Sequence, residues 1–423
     1  MQRLAINGGE SVREKPFPTY NTLGEEERAA VNKVLDAGIL SQFLGTWSDD
    51  FYGGPHVQRL ERAWEDFFSV KHAVSVNSAT SGLYAAVGAA GVGPGDEVIV
   101  SPYTMSASAT APLVYGAVPV FADIDRESYC ITAETIAKKI TTRTKAIIVV
   151  DIFGRPAEFE KIISLANAHG LVVIEDCAQA PGARYEDRLA GTLGHIGVFS
   201  LNYHKTIHCG EGGVVVTDSS EFAERLQLIR NHAEAVVAKK GVRNLVNMVG
   251  FNYRMTEIEA AIAYEQLKKL PELVKRRQEN AEYLGRALKG VSEIEVPLLP
   301  EGMLHGWYVY PFKFFSDRAG VSRAEFAKAL RAEGVPVGEG YVEPLYLQPL
   351  YQQKVAFGKS GFPFEWDGYD GVVDYSKGLC PVAEEMHFER LLVGDWVHAA
   401  MTFEDLDDIA IAVKKVVAAY RAV

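Results

Sequence analysis

Cysteine is scarce: the 423 residues hold four, Cys130, Cys177, Cys209 and Cys380, with no C-x-x-C pair. So sparse a set excludes a disulfide framework and points to a reducing cytoplasm. No apolar run approaches the about 18 residues needed to cross a bilayer, and Met1 to Asn7 is too poor in apolar side chains for a signal peptide. The most apolar stretch, Ala85 to Val92, is broken by Gly88 and Gly91 and reads as a packed helix end. Basic residues are in deficit, 43 Lys and Arg against 55 Asp and Glu, for a formal charge of −12. That balance argues against a nucleic-acid binder or a protein of anionic membranes, and leaves room for a local basic pocket. Also missing are a fixed repeat and a Ser/Gly-rich or Pro-rich linker.

What is present is ordinary globular material, 48% hydrophobic and 23% charged. The length is roughly three times the ~150 residues of one domain, so a large domain plus a smaller one is expected. Between Val57 and Asp218 short apolar runs alternate with helical stretches. The runs are Val98–Val100, Val118–Phe121, Ala146–Val150, Leu171–Ile174, Gly197–Phe199 and Val214–Val216. Continuous Val/Ile runs suit strands buried on both faces, and intervening helices suit a mainly parallel sheet in a three-layer α/β domain. Thr256 and Glu259 form a capping box that predicts a helix through Gln266, and a second, charged helix follows Pro271. The passage from Pro297 to Pro300 marks a boundary between residues 1–295 and a smaller C-terminal α+β domain, 296–423. There a strand is predicted over Tyr308–Phe315, a helix over Arg323–Glu333 and an amphipathic helix over Phe403–Tyr420.

Several chemistries drop out. Gly91-Val92-Gly93-Pro94-Gly95 precedes a strand and lacks the last glycine of a dinucleotide fingerprint. Neither a Gly-Lys-Ser/Thr phosphate loop nor a Gly-x-Ser-x-Gly elbow occurs. His204, His208 and Cys209 sit beside a glycine cluster with no fourth ligand, so no metal site is assigned.

One constellation remains. The strand Leu171–Ile174 runs into Glu175 and Asp176, and 29 residues later Lys205 follows the strand ending near Leu201. Parallel sheets place ligands beyond the carboxyl ends of their strands, so both side chains can enter one site. On spacing alone the plainer reading, a helix-capping Asp176 and a solvated loop Lys205, is favoured. Two features shift the balance. Asn77 to Gly82 opens a helix whose free amides and hydroxyls suit a phosphate, and Gly210-Glu211-Gly212-Gly213 permits a tight turn beside the lysine. A lysine, an acid and a phosphate cradle are what pyridoxal 5′-phosphate requires.

Asn77–Ser81, Ile174–Ala180, Ser200–Gly213 and Gly250–Ala261 together resemble the DegT/StrS family of pyridoxal-phosphate-dependent aminotransferases, over about Leu4 to Leu350. The resemblance implies an aspartate-aminotransferase-like fold (fold type I). It makes Lys205 the lysine that carries the cofactor and Asp176 the partner of the pyridine nitrogen. Gln179 would bond the ring hydroxyl. Thr80, Ser81 and Ser200 would hold the phosphate, with Ala79 where the family often has glycine. Met105 stands where an aromatic usually stacks on the ring, and a thioether contacts a ring less rigidly. Asn252 would reach the phosphate of the neighbouring subunit, giving a homodimer with shared sites. The implied reaction is ping-pong transamination from an amino acid, glutamate first, to a keto-sugar, nucleotide-linked first, or a keto-cyclitol. The opening Ile6–Arg13 looks like the longer members of the family, which include cyclitol aminotransferases, and does not choose between a free cyclitol and a nucleotide-linked sugar.

Rivals are a sugar dehydratase, which carries histidine in place of the lysine, and a non-catalytic sensor on the same fold. Lys205 keeps the family's spacing to Ser200 and Gly210, and a binder has no need of an electron sink. Arg230, Arg254 and His232 are left unassigned, and the loop Tyr341–Tyr351 is a candidate lining of the substrate pocket.

Overall fold

The computed structural model describes residues 3–421. At its centre lies a seven-stranded sheet made of β1 (His72–Val76), β2 (Glu97–Val100), β3 (Val118–Phe121), β4 (Thr144–Val150), β5 (Val172–Asp176), β6 (Ile196–Ser200) and β7 (Gly213–Thr217). The strands stand in the order β1-β7-β6-β5-β4-β2-β3. All pair in parallel except β7, which is antiparallel to both β1 and β6. Six carboxyl ends therefore share one edge of the sheet.

Alternate residues of the strands feed two different cores. Val198 and Val215 pack with α2 (Ala79–Ala89) on one face, while Phe199, Val214 and Val216 pack with α1 (Pro55–Phe68) and α4 (Glu257–Ala287) on the other. This two-sided burial is the reason the strands read as unbroken apolar runs. It also makes the domain three-layered. Strand β1 has no such run in the sequence; it is an edge strand held by antiparallel pairing from His72 opposite Thr217 to Val76 opposite Gly213.

Helix α4 differs from expectation. Thr256 and Glu259 form the capping box, with Thr256 Oγ1 accepting from Glu259 N at 3.3 Å and Glu259 Oε2 accepting from Thr256 N at 2.8 Å. The helix then continues through Pro271 to Ala287 without a break. An interior proline costs about 3 kcal/mol. Leu267, Leu270 and Val274 flank it and are all buried in one core, and full burial stabilises by about 1.5–3 kcal/mol per side chain. Packing wins.

A four-stranded antiparallel sheet follows: β8 (Ile294–Glu295), β9 (Tyr310–Phe314), β10 (Gly338–Glu339) and β11 (Leu391–Gly394), in the order β8-β9-β11-β10. It packs with α5 (Arg323–Ala332) and α6 (Phe403–Arg421) around Phe312, Phe326, Leu406 and Val413. Between β10 and β11 the chain returns to the large sheet. Tyr346, Tyr351 and Tyr375 join the first core, and the Tyr375 hydroxyl donates to the Pro119 carbonyl at 2.6 Å. That return carries Tyr341 to the carboxyl edge of the large sheet. No helix among the described residues is long and apolar enough to cross a membrane.

Candidate active site

A cleft of about 240 Å³ opens at the carboxyl edge of the sheet. Asp176 ends β5, Ser200 ends β6, and Lys205 lies on the turn just after it. All three line the cleft, together with Ala79, Thr80, Met105 and Gln179. Two residues assigned from the resemblance do not line it. Ser81 is buried in the helix cap, donating to Asn77 Oδ1 at 2.5 Å, and Asn252 is exposed outside the cleft.

Asp176 is buried and doubly bonded: Ser108 Oγ donates to Oδ2 at 2.8 Å and the Ala178 amide to Oδ1 at 3.1 Å. Burial raises its pKa, opposed by those two bonds and by the charge of Lys205. Ser108 sits on α3 (Ala107–Val114), which follows β2. A carboxylate held from two sides cannot swing, which suits a fixed charge partner.

The Lys205 amide donates to the Asn202 carbonyl at 2.9 Å, and the Tyr20 hydroxyl pins the next residue through Thr206 O at 2.5 Å. Gly210, at φ 94°, takes the left-handed turn that closes this loop. The Lys205 side chain is buried, with Nζ 4.5 Å from the centre of the Tyr308 ring. Burial lowers its pKa to about 8, and Asp176 opposes that shift. In the cofactor-free protein the amine should therefore condense with a simple aldehyde half-maximally near pH ~8, and Asp176→Asn should move that midpoint lower still. Linkage has the matching sign: the folded chain binds this proton more weakly than the unfolded chain, so stability rises as pH climbs from about 8 toward 10.5. A condensation midpoint above pH ~10 would contradict the assignment of a desolvated amine.

The start of α2 has the form of an anion cradle. Ser78 caps it by accepting from the Ser81 amide at 3.1 Å, while the amides of Ala79 and Thr80 find no protein acceptor among the described residues. Gly213 lets this turn approach the sheet. A Cβ there would lie 2.8 Å from both the Ala79 nitrogen and the Phe199 carbonyl oxygen. Open amides at a helix N-terminus suit phosphate, and a buried lysine and carboxylate stand in the same cleft. The residues present fit pyridoxal 5′-phosphate.

Gln179 is held at both ends, Oε1 accepting from the Phe153 amide at 2.6 Å and Nε2 donating to the Tyr341 hydroxyl at 2.8 Å. Met105 lines the cleft and is 61% exposed, whereas Tyr103 is fully buried and carries no cleft surface. Tyr103 instead accepts from the Tyr341 amide at 2.9 Å. His204 lines the cleft, but His208 and Cys209 do not, and the three form no cluster of ligand atoms among the described residues. Arg230 is buried against Glu61 at 2.6 Å and Arg254 bonds Asn231 at 2.9 Å; neither they nor His232 line the cleft. Ser108 and Tyr308 are residues of the site with no role assigned from sequence, whereas Tyr341 opens the loop read there as a candidate lining of the substrate pocket. Their approach depends on tertiary packing.

Beneath the cleft, Asp151, Glu175 and Cys177 bring their side-chain atoms within 4.8 Å of one another. The Glu175 carboxylate takes the amides of Gly191, Leu193 and Gly194 at 2.6, 2.9 and 3.0 Å. Three donors aimed at one group favour its anion, so the proton of the pair resides on Asp151, whose pKa burial and the Glu175 charge raise well above the ordinary range. Asp151→Asn should then be tolerated, since its amide also donates to Glu175. Glu175→Gln sets an NH2 against backbone N–H groups and should lower stability by about 1–3 kcal/mol or more. Urea melts of both variants check this; equal destabilisation would refute the proton placement.

A buried lysine and carboxylate beside an open helix N-terminus, at the carboxyl edge of this sheet, define an α/β transferase of fold type I. The DegT/DnrJ/EryC1/StrS aminotransferase family model matches residues 21–413. The L-glutamine:2-deoxy-scyllo-inosose aminotransferase of Streptomyces kanamyceticus is 33% identical over 98% of this chain and 96% of its own. The spore coat polysaccharide biosynthesis protein SpsC of Bacillus subtilis is 31% identical over 93% and 95%. The aminotransferase structure from Psychrobacter cryohalolentis superposes with a TM-score of 0.83 at 29% identity, covering 96% of this chain and 100% of that one. The chain belongs to the DegT/DnrJ/EryC1/StrS aminotransferase family, and it is an aminotransferase.

Proposed function

We propose that this enzyme binds pyridoxal 5′-phosphate in the cleft and moves an amino group from glutamate to a keto-sugar or keto-cyclitol by ping-pong transamination. The observation that carries the reading is the convergence of Lys205, Asp176 and the free Ala79 and Thr80 amides on one cleft. When bound, the cofactor supplies an electron sink. Lys205 would attach it, and its Nζ would carry protons, a task suited to an amine whose pKa has fallen to about 8. Asp176 would hold a proton on the ring nitrogen, and Ser200 and the amides of α2 would hold the phosphate. Gln179 would bond the ring hydroxyl, and Met105, which lines the same cleft, would lie where it can contact the ring.

The test is spectroscopic. The visible band of the lysine-bound cofactor should bleach on adding glutamate and return on adding 2-deoxy-scyllo-inosose. Glutamine is the second donor arm, because the inosose relative is named for it. A band that no amino acid bleaches would overturn the reading in favour of the sensor.

The same proposal includes a homodimer. Support comes from exposed apolar residues on the loops near Asn252: Leu40 at 49%, Leu44 at 50%, Leu245 at 59% and Val249 at 66%. A patch of this kind calls for a partner. Asn252 itself is exposed, with its carbonyl accepting from Asn77 Nδ2 at 3.4 Å, next to the anion cradle. Its side-chain amide would reach the phosphate of the second chain, so two-fold symmetry would give two composite sites. Lys205→Ala and Asn252→Ala chains, each impaired alone, should regain partial activity after subunit exchange, because one site of the mixed dimer carries neither lesion. No recovery despite proven exchange would contradict a shared site. The division at residues 295 and 296 is proposed on the separate four-stranded sheet, of which β9, β10 and β11 lie beyond the division and β8 (Ile294–Glu295) lies just before it. Cytoplasmic residence is supported by four cysteines that are all free and buried.

A further inference from the structure

Tyr341 enters the cleft from the segment that leaves β10, more than 130 residues beyond the lysine loop in sequence. Its position is fixed from three sides. The ring meets Phe153 edge-on at 5.1 Å and Tyr103 at 6.2 Å, and its backbone amide donates to the Tyr103 hydroxyl. The direction of its own hydroxyl proton follows from Gln179. An amide side chain has one accepting and one donating end. Because the Phe153 amide occupies the oxygen end at 2.6 Å, the nitrogen end must face Tyr341, and the phenol oxygen is the acceptor at 2.8 Å. A phenol that accepts from an amide still has one proton to place. Among the described residues no protein acceptor takes it. Burial raises the phenol's pKa, so the proton stays. The open direction is the cleft shared with Lys205, Asp176 and Tyr308.

We propose that Tyr341 is a substrate-contacting residue, donating its hydroxyl proton to an oxygen of the molecule seated over Lys205. This rests on the aminotransferase reading and adds a specificity contact to it. The acceptor chemistry is a lone-pair oxygen, and two sources offer one: the carboxylate of the amino donor, or the carbonyl or hydroxyl of the sugar or cyclitol. A site built to donate a hydrogen bond discriminates strongly against the loss of that bond.

The test uses the holoenzyme and separates the two half-reactions by rapid mixing, with glutamate as one probe and 2-deoxy-scyllo-inosose as the other. Tyr341→Phe keeps the ring and its packing and removes only the hydroxyl. The expected result is a roughly tenfold or greater loss of apparent affinity in one half-reaction, with the other nearly unchanged. The affected half identifies the source of the oxygen. Cofactor affinity, read by absorbance titration of the apoprotein, should stay within about twofold of wild type. A loss shared equally by both half-reactions and by cofactor affinity would overturn the proposal, because Tyr341 would then act only by positioning Gln179. Unchanged kinetics in both halves would overturn it as well. Should the variant fold poorly, 3-fluorotyrosine placed at position 341 reports directly: its ¹⁹F resonance should shift with the contacted substrate, and no shift with either refutes the contact. Failure of the aminotransferase reading looks different, since the wild-type band would then not bleach at all.

Discussion

Lys205→Ala is expected to abolish amino transfer while leaving the fold intact. The side chain is the cleft's buried amine, and truncation removes both the cofactor attachment point and the group that carries protons. Proton transfer by a positioned side chain is alone worth about 10²–10⁴-fold, so the combined loss should reach at least about 10³-fold in kcat. The fold should survive, because Lys205 forms no ion pair among the described residues and its turn is held by backbone bonds and by Tyr20. Initial rates with glutamate, alongside a thermal melt, decide the matter. Turnover within tenfold of wild type would remove Lys205 from the mechanism.

Asp176→Asn should cost at least about 10²-fold in turnover while retaining much of the cofactor affinity. The substitution preserves shape: the remaining oxygen can accept from the Ala178 amide while the new NH2 donates to Ser108 Oγ, a hydroxyl that can also accept. What disappears is the negative charge that keeps a proton on the ring nitrogen. Ser108→Ala tests the same link more gently, since it removes one donor from Asp176 Oδ2 without altering the charge. Its loss should be smaller than that of Asp176→Asn, and the reverse order would show that hydrogen bonding rather than charge defines the role of Asp176.

Asp176 and Lys205 were legible in the sequence because one ends an apolar strand run and the other comes soon after a second, where the parallel sheet forces side chains toward its carboxyl edge, and the Asn77–Ser81 turn was legible from the capping residues that open its helix. The strands were legible because Val/Ile runs register burial on both faces. Strand β1 was not, because an edge strand relies on the hydrogen bonds of β7 more than on its own apolarity. The break expected at Pro271 failed to appear because Leu267, Leu270 and Val274 share a core that outweighs the proline. Tyr308, just before β9, gave no local signal of a place in the site, and Tyr341 was legible only as one end of a candidate pocket-lining loop, because tertiary return of the chain between β10 and β11 brings it in. The Asp151–Glu175 pair likewise depends on the register that sets Val149 beside Glu175 and Val150 beside Asp176. No spacing rule announces two carboxyl groups on neighbouring strands.

The account stands on the placement of the cofactor at Lys205. Borohydride reduction of the holoenzyme, followed by digestion and mass mapping, should yield a single pyridoxyl-modified peptide, with the adduct on Lys205. A modified peptide from any other lysine, or no covalent adduct in protein that shows the visible band, would contradict it.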